Sequence, residues 1–416
     1  MPKKKYNTID LFAGCGGLMD GFMQEGSYNT LACVEWETSP SQTLANRLER
    51  KWHHKDAKEE VIRFDIQRTK ELINGFDDAE YGKHRGLKDL IGDRKIDVII
   101  GGPPCQAYSL AGRIRDPQGM KNDYRNYLFE SYIRILEHFK PSFFIFENVV
   151  GMLSAAPDGI PIVEKISQAF KKAGYQVIGD FKNAVYDVAD FGIPQHRKRV
   201  IILGVNKNIE KKKRGLCQKI LDDFYKTQMP NLIKNAKCRT VRDAIGDLPV
   251  LKPSKTVVKK DGHKYSHTPI DGGGVLNHIP RFHNERDQKI FAMLSEDISS
   301  GRNEYVSIDA LKALYTKMTG KQSNIHKYYV LRWDEPSNTI PAHLYKDGMR
   351  HIHPDPIQAR SITVREAARL QTFADDFEFI GPMMAQYKMI GNAVPSDFAK
   401  KIAIGVHELL KKYNYE

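Results

Sequence analysis

The chain has 416 residues and a mass of 47.5 kDa; 41% of its residues are hydrophobic and its net charge is +13. This length and apolar content exclude a disordered chain and predict one large or two globular domains. No apolar run approaches the roughly 20 residues that cross a bilayer, and the basic N-terminus lacks the apolar core of a secretory signal. Five cysteines, an odd number without metal-knuckle spacing, indicate a reducing, cytoplasmic setting.

The positive charge is concentrated in one part of the chain. Residues 206–358 carry 27 Lys and Arg against 17 Asp and Glu, whereas the rest of the chain carries 37 against 34. A localised basic segment attracts polyanions, of which nucleic acid is the commonest. The alternative is a solvated basic surface that only aids solubility.

Predicted strands and helices alternate over the first 205 residues. Apolar runs predict strands at 6–12, 30–36, 61–66, 96–102, 142–148, 175–181 and 199–205, and helical patterns occupy 126–139 and 160–174. This alternation predicts an α/β fold with a doubly wound, mostly parallel sheet, whose ligands bind beyond the carboxyl ends of the strands. The pattern is irregular after residue 205, until helices are predicted at 363–373, with Thr363 and Glu366 in capping-box relation, and at 395–413. We predict one domain from residues 1–205 and 379–416 and a second, smaller and irregular domain with a hinge from 206–378.

Three features at successive strand ends predict a nucleoside-binding edge. The turn "DLFAGCGG" (10–17) brings glycines before a helix N-terminus, but its spacing is not G-x-G-x-x-G, which disfavours a nicotinamide dehydrogenase. Glu35 ends the second strand, where a carboxylate can accept both ribose hydroxyls. Asp65 follows the third strand and can accept from an adenine amino group, while Ile66 packs on the ring. Each feature alone is more often a tight turn, a cap or a solvated strand end; together they predict an adenosine-containing cofactor.

The stretch "GGPPCQAYS" (101–109) places Cys105 on a proline-stiffened turn after the fourth strand. A thiolate there is a candidate nucleophile, and an inert buried thiol is the alternative. Glu147 ends the next strand, so we expect its carboxyl group beside Cys105, where it would donate a proton. The alternative is a buried glutamate whose hydrogen bonds are all satisfied. Arg197 and Arg199 lie two residues apart at the start of a strand, so we expect them on the same face. Their guanidinium donors suit carbonyl or phosphate oxygens, and a plain basic surface is the alternative.

These motifs, in this order, resemble those of the DNA (cytosine-5)-methyltransferases. The resemblance rests on the Gly-rich turn, Glu35, Asp65, Pro104-Cys105-Gln106, Glu147-Asn148-Val149 and Gln195-x-Arg197-x-Arg199. Residues 360–377 and 387–403 resemble the ninth and tenth motifs of the family, and residues 206–327 match least. The chain departs from the family at Ala374, where proline is usual, and at Met389, where glutamine is usual. Neither residue touches the chemistry, so we expect activity to survive both changes.

The resemblance implies a Rossmann-like methyltransferase that uses S-adenosylmethionine, releases S-adenosylhomocysteine and needs no metal. It implies cofactor contacts from Phe12, Gly14, Gly17, Glu35, Trp36, Asp65, Ile66, Pro104, Leu128, Asn392 and Val394. It also implies that Cys105 attacks C6 of a flipped cytosine and that Glu147 protonates or hydrogen-bonds N3. Arg199 would hold the O2 carbonyl, and Arg197 would support Cys105 or a nearby phosphate.

The resemblance also implies how the chain meets its substrate, double-stranded DNA of one short sequence. Residues 107–126 are predicted to form a basic lid, with DNA contacts from Gln106, Ser109, Arg113 and Arg115; a plain surface loop is the alternative. The second domain would recognise the target through phosphate and base contacts. We expect a monomeric, cytoplasmic, DNA-associated enzyme of bacterial or phage origin and of restriction–modification type. Its endonuclease would act separately, and no membrane would be involved.

Two other functions remain open at this point. An enzyme that methylates tRNA shares the architecture and the Pro-Pro-Cys-Gln motif, but the large basic segment disfavours it. A non-catalytic DNA-binding protein with the same fold is disfavoured by the complete set of Cys105, Glu147, Arg197 and Arg199. Methyl transfer to DNA against tRNA oligonucleotides distinguishes the first, and the activity of a Cys105→Ala variant distinguishes the second.

Overall fold

A computed structural model describes residues 5–104, 127–156, 159–260, 263–268, 274–322, 328–346 and 348–413. The chain divides into two compact units. The first unit contains residues 1–191, 198–237 and 393–416, and the second contains residues 192–197 and 238–392. No helix in these described ranges is long and apolar enough to cross a membrane.

The strands and helices are numbered in chain order. The strands are β1 (Tyr6–Leu11), β2 (Tyr28–Glu35), β3 (Val61–Arg63), β4 (Phe76–Asp78), β5 (Gly82–His84), β6 (Val98–Gly101), β7 (Phe143–Val149), β8 (Tyr175–Gln176), β9 (Val185–Asp187), β10 (Lys198–Asn206), β11 (Pro253–Lys260) and β12 (His263–His267). The helices are α1 (Gly17–Glu25), α2 (Thr38–Arg50), α3 (Ala57–Glu60), α4 (Thr69–Asn74), α5 (Gly86–Ile91), α6 (Leu128–Phe139), α7 (Ile162–Lys172), α8 (Leu216–Asp223), α9 (Met229–Lys234), α10 (Val241–Ile245), α11 (Glu285–Ser299), α12 (Ile308–Thr319), α13 (Val364–Leu370), α14 (Met383–Asn392) and α15 (Ser396–Lys412).

The first unit is built on a mostly parallel sheet, which confirms the predicted α/β fold. Its strand order is β3-β2-β1-β6-β7-β10-β8, and β9 also pairs with β10. Strands β3, β2, β1, β6 and β7 are parallel, whereas β10 runs antiparallel to β7, β8 and β9. The order reverses between β1 and β6, and such a switch point opens a crevice beyond the carboxyl ends of the strands.

Helices cover both faces of this sheet, which explains the continuous apolar runs of its strands. Ile9, Ile99 and Ile145 are fully buried, as expected for central strands covered on both sides. On one face, α1 packs closely on α15: a Cβ atom added to Gly21 would collide with Ala399 and with the carbonyl oxygen of Ser396. The C-terminal helix therefore forms part of the first unit.

Most predicted elements of the first unit are present, with limits that differ by a few residues. The helices predicted at 126–139, 160–174 and 395–413 are α6, α7 and α15. The strand predicted at 175–181 is wrong beyond Gln176, because only Tyr175 and Gln176 pair with β10 and the chain then forms a 3-10 helix at Phe181–Ala184. The strand predicted at 61–66 ends at Arg63, and a turn closed by the Arg68 N–H on the Asp65 carbonyl oxygen follows.

The limits of the units differ from the predicted domain boundaries. Residues 206–237 belong to the first unit, because Cys217, Ile220 and Phe224 bury their side chains and Tyr225 bonds the backbone of β10. Residues 192–197 and 379–392 belong to the second unit. Their packing there is close: a Cβ atom on Gly391 would collide with the backbone of Pro341 and Ala342.

The second unit has its own core and little regular sheet. Ile290, Phe291 and Leu294 of α11 pack with Leu311 and Leu314 of α12. Helix α13 begins with the predicted capping box, in which the Thr363 hydroxyl accepts from the Glu366 N–H and Glu366 accepts from the Thr363 N–H. Glu366 also forms a fully buried ion pair with Arg360. Strands β11 and β12 form a separate two-stranded ribbon.

Candidate active site

The Gly-rich turn after β1 is held by two carboxylates. Phe12, Gly14 and Gly16 have φ of 58°, 56° and 95°, a left-handed region that a residue with a side chain, such as Phe12, rarely adopts. The Gly14 N–H donates to Oε2 of Glu35 at 2.8 Å, and the Met19 N–H donates to Oδ2 of Asp10 at 3.2 Å. The turn is thus fixed to the end of β2 and to β1 itself, in a conformation that exposes backbone at the switch point of the sheet.

Glu35 and Trp36 stand side by side at the end of β2. The half-buried Glu35 also accepts at Oε1 from the Glu37 N–H at 2.7 Å. Burial raises the pKa of Glu35, against the opposing effect of its backbone N–H donors. Trp36 is 51% exposed, unusual for so large a ring, and its Nε1 donates to the Tyr81 hydroxyl. A carboxylate beside an exposed aromatic ring fits the ribose and base of a nucleoside.

Asp65 and Ile66 lie beyond the end of the neighbouring strand β3. The half-buried Asp65 accepts from the Gln67 N–H at 3.0 Å, and Ile66 is 5% exposed. Because β1, β2 and β3 are parallel neighbours, the structure brings Phe12, Gly14, Glu35, Trp36, Asp65 and Ile66 to one edge of the sheet. Leu128, buried at the start of α6, and half-buried Pro104 follow the adjacent strand β6.

The two predicted cofactor residues near the C-terminus lie in different units. Val394 is buried in the first unit, and a Cβ atom added to Gly17 would collide with its carbonyl oxygen. The missing side chain at Gly17 therefore lets the 393–395 segment reach the start of α1. Asn392 belongs to the second unit, where it is exposed at the end of α14.

Glu147 and Arg199 form an ion pair at the carboxyl end of β7. Arg199 Nε lies 2.8 Å from Glu147 Oε1, and their side chains are 12% and 13% exposed. In the antiparallel register of β7 and β10, Arg199 pairs with Val149 and Ile201 pairs with Glu147, so both charged side chains project from one face. A carboxyl group and a guanidinium group therefore lie side by side, and both are mostly shielded from solvent.

The segment that leads to Cys105 lies against this pair. A Cβ atom added to Gly102 would be 2.5 Å from Oε2 of Glu147, so a side chain there would force the carboxyl group to move. The Asn148 side chain donates to the Pro103 carbonyl oxygen at 3.5 Å. Cys105 itself lies outside the described residues, as do Gln106, Ser109, Arg113, Arg115 and the predicted lid at 107–126.

Arg197 was expected to support Cys105 or a nearby phosphate, and its guanidinium group bonds backbone carbonyl oxygens. It is 2% exposed and belongs to the second unit, where Nη1 donates to the Ile340 carbonyl oxygen at 2.9 Å and Nη2 to that of Gly391 at 3.0 Å. Strand β10 begins only at Lys198, so the two-residue alternation that was expected to align Arg197 with Arg199 does not apply. Arg197 cross-links backbone segments next to Asn392.

Sequence reasoning missed two buried polar residues of these motifs. Asp10 is fully buried in β1, where burial raises its pKa well above the usual value; Oδ1 has no hydrogen-bond partner among the described residues. Gln195 is fully buried in the second unit and bonds Leu370, Gln371 and Ile340. A carboxylate inside the apolar run "TIDLF" was the available signal for Asp10; Gln195 had none beyond its motif.

A family model and individual relatives place the chain in the same family. Residues 6–407 match the family model for C-5 cytosine-specific DNA methylases. The type II methyltransferase M.Bpa9945I of Bacillus paralicheniformis is 34% identical over 98% of this chain and 100% of the relative. M.DdeI of Desulfomicrobium norvegicum is 31% identical over 95% of this chain and 87% of the relative.

Among solved structures, an E. coli prophage protein described as a DNA modification methyltransferase aligns with a TM-score of 0.61 and 25% identity, covering 98% of this chain and 100% of that one. The Dnmt2 methyltransferase of S. pombe shares the fold, with a TM-score of 0.53 at 14% identity, over 99% of this chain and 100% of that one. The family match spans the predicted nucleoside-binding edge, the Glu147–Arg199 pair and the C-terminal motifs together. The chain belongs to the C-5 cytosine-specific DNA methylase family and is a DNA (cytosine-5)-methyltransferase.

Proposed function

We propose that the enzyme methylates one cytosine of a short duplex sequence by covalent catalysis through Cys105. The observation that carries the proposal is the Glu147–Arg199 ion pair, packed against Gly102 three residues before Cys105. C5 of cytosine is a weak nucleophile, and addition at C6 makes it reactive. C6 is out of reach inside a stacked duplex, so the base is flipped into the site at a cost of a few kcal/mol.

Each residue of the proposed site acts on a stated atom of the base. A new bond joins Sγ of Cys105 to C6, and the electron pair of the C5–C6 double bond moves to C5. Glu147 hydrogen-bonds or protonates N3, and Arg199 donates to O2, so both stabilise the developing charge. After C5 carries its methyl group, a base removes the C5 proton, the double bond re-forms, and Sγ leaves with its bonding electrons.

The family implies S-adenosylmethionine as methyl donor, and the edge of the sheet fits it. When bound, it supplies an electrophilic methyl group and leaves as S-adenosylhomocysteine. Glu35 would accept from the ribose hydroxyls and Asp65 from the adenine amino group, with Trp36 and Ile66 against the ring. Three features support this fit: the open space around Gly14, the exposure of Trp36 and Oδ1 of Asp10, which has no partner among the described residues. Phe12, Gly17, Pro104, Leu128, Asn392 and Val394 complete the proposed set.

Arg197 is proposed as a positioning residue. Its bonds to Ile340 and Gly391 stabilise the backbone before Asn392, one of the proposed cofactor contacts.

The proposed DNA contacts remain Gln106, Ser109, Arg113 and Arg115. The basic second unit is proposed to recognise the target sequence. The similarity to type II methyltransferases supports a place in a bacterial restriction–modification system, with a separate endonuclease. A monomer that acts in the cytoplasm fits this proposal.

Expression in a bacterium without cytosine methylation, followed by bisulfite sequencing, tests the proposed chemistry. The unchanged chain should leave 5-methylcytosine in one short sequence context. Cys105→Ser and Glu147→Gln should lower methylation at least about 100-fold, as expected when a nucleophile or a general acid is removed. Cys238→Ser, at an exposed cysteine, is the matched control and should keep full activity.

A trapping experiment identifies the covalent step. Duplex DNA with 5-fluorocytosine at the target should give a denaturation-resistant conjugate with the unchanged chain and none with Cys105→Ser. Methyl marks only on adenine or on N4 of cytosine, or full activity of Cys105→Ser, would contradict the mechanism. Faster transfer to tRNA than to duplex DNA would contradict the proposed substrate.

A further inference from the structure

The ribbon of β11 and β12 in the second unit has an unusual charge. Residues 252–268 contain five lysines against one aspartate, Asp261, which lies outside the described residues. Lys252, Lys255, Lys259 and Lys264 are exposed. None of these four forms an ion pair with a carboxylate of the described residues. The ribbon therefore presents a cluster of uncompensated positive charge.

Two of these lysines face each other directly across the ribbon. The antiparallel register pairs Lys259 with Lys264, and the flanking pair is Val258 with Tyr265. Directly opposed side chains in an antiparallel pair lie about 5 Å apart at Cβ, and like charges in this position destabilise the pairing. Val257, two residues before Lys259 and so on the same face, is 52% exposed. Repulsion between Lys259 and Lys264 therefore weakens the pairing of the two strands.

The root of the ribbon, in contrast, is firmly fixed. Nε2 of the buried His267 bonds the Gln358 carbonyl oxygen at 2.7 Å, and Oγ of the buried Ser266 accepts from the His283 N–H at 2.9 Å. The Thr268 N–H donates to the Lys252 carbonyl oxygen at 3.0 Å and closes the open end. These hydrogen bonds fix the base of both strands, so Lys259 and Lys264 stay opposite each other despite their repulsion.

We propose that this ribbon binds the phosphate backbone of duplex DNA, with Lys259 and Lys264 on either side of one stretch of phosphates. A polyanion relieves the repulsion between the two ammonium groups, and a two-stranded ribbon matches the width of the major groove. The contact positions the second unit on any duplex and specifies no base. This inference rests on the proposed function, because it takes duplex DNA as the substrate.

The test measures how DNA affinity depends on salt. For the double variant Lys259→Gln/Lys264→Gln, the slope of log K against log salt should fall by about 2, since each lost phosphate contact removes about 0.9. Target and non-target duplexes should lose affinity by the same factor. Methylation by the double variant should need a higher DNA concentration for its half-maximal rate, because the ribbon positions the duplex.

The matched control is Lys289→Gln/Lys317→Gln, two exposed lysines on α11 and α12 of the same unit. This control removes the same charge and should change the slope by less than 1. An equal fall in both double variants would mean that net charge alone acts, and the proposal would be wrong. A loss of affinity confined to the target sequence would also overturn the proposal, because lysine contacts to phosphates do not distinguish one base sequence from another.

Lys264→Glu separates a binding role from a structural one. A carboxylate opposite Lys259 removes the repulsion, so the melting temperature should rise or stay equal while DNA affinity falls. Lower stability together with unchanged affinity would show that the pair serves the fold. If the unchanged chain methylates duplex DNA and the double variant keeps its salt slope, only the ribbon proposal fails. If the unchanged chain does not methylate duplex DNA, the proposed function fails first.

Discussion

Asp10 is a fully buried carboxyl group that accepts from the start of α1, next to the turn of the proposed cofactor edge. Its burial raises the pKa well above 3.8, so the folded chain holds a proton that the unfolded chain releases. A group of this kind lowers stability as pH rises from its unfolded pKa towards its folded pKa, by at most about 1.4 kcal/mol per pH unit. Asp10 is therefore an acid whose ionisation opposes folding at neutral pH.

Asp10→Asn should remove this pH dependence. The amide oxygen can still accept from the Met19 N–H, which Asp10 bonds at 3.2 Å, and no ionisation remains. Urea unfolding at pH 5 and pH 8 should show that the variant gains stability over the unchanged chain as pH rises. An equal difference between the two proteins at both pH values would show that Asp10 ionises in the folded state as readily as in the unfolded chain.

At the scale of elements, the contact between α1 and the 393–395 segment depends on one missing side chain. A Cβ atom on Gly17 collides with the backbone oxygen of Val394, which cannot rotate away as a side chain would. Gly17→Ala should therefore destabilise the protein by about 1–3 kcal/mol, the usual cost of overpacking. It should also raise KM for S-adenosylmethionine, because both residues belong to the proposed cofactor site.

Gly179→Ala is the matched control, because a Cβ atom there meets nothing within 4 Å. Thermal unfolding should place this variant within about 0.5 kcal/mol of the unchanged chain, with the same KM. A Gly17→Ala variant with the stability and KM of this control would refute the close contact.

Most strands of the first unit were predictable from sequence to within a few residues, because they are short, continuous apolar runs. The extent of pairing was not: beyond Gln176 the chain leaves β10, and nothing in "YQVIGDF" marks that point. Arg197 was misplaced because its two-residue spacing from Arg199 presumed a continuous strand, and the chain crosses from one unit to the other between residues 197 and 198. Partners far apart in sequence, such as Gly391 for Arg197, cannot be read from a local pattern.

At the scale of the whole molecule, acid stability depends on five histidines buried in the second unit. His267, His278, His283, His351 and His353 are each at most 5% exposed. Burial lowers the pKa of all five, to about 4 for His267 and His351 and to about 3 for His283 and His353. The positive charge of Arg360 also lowers the pKa of His267, His278, His283 and His353; the negative charge of Glu366 opposes this at His278 and His353, and that of Asp355 at His353.

The sign of the effect follows from proton binding. Below pH 6.5 the unfolded chain binds protons at these histidines and the folded chain does not, until the pH reaches the lowered values. The stabilising contribution is complete above pH 6.5 and is lost as pH falls towards 4 to 3, by up to about 1.4 kcal/mol per pH unit for each histidine. We therefore expect the free energy of unfolding to fall steeply between pH 6.5 and pH 4.5.

Histidine-selective NMR can follow these groups one by one, with signals assigned from single His→Gln variants. In the folded protein the rings of His267, His283, His351 and His353 should stay neutral at pH 5.5, and in the urea-denatured protein the same rings should be protonated there. Urea unfolding over the same pH range should show the matching loss of stability. Protonation of these rings between pH 7 and pH 6 in the folded protein would contradict the prediction, because burial of an imidazole opposes its taking up charge.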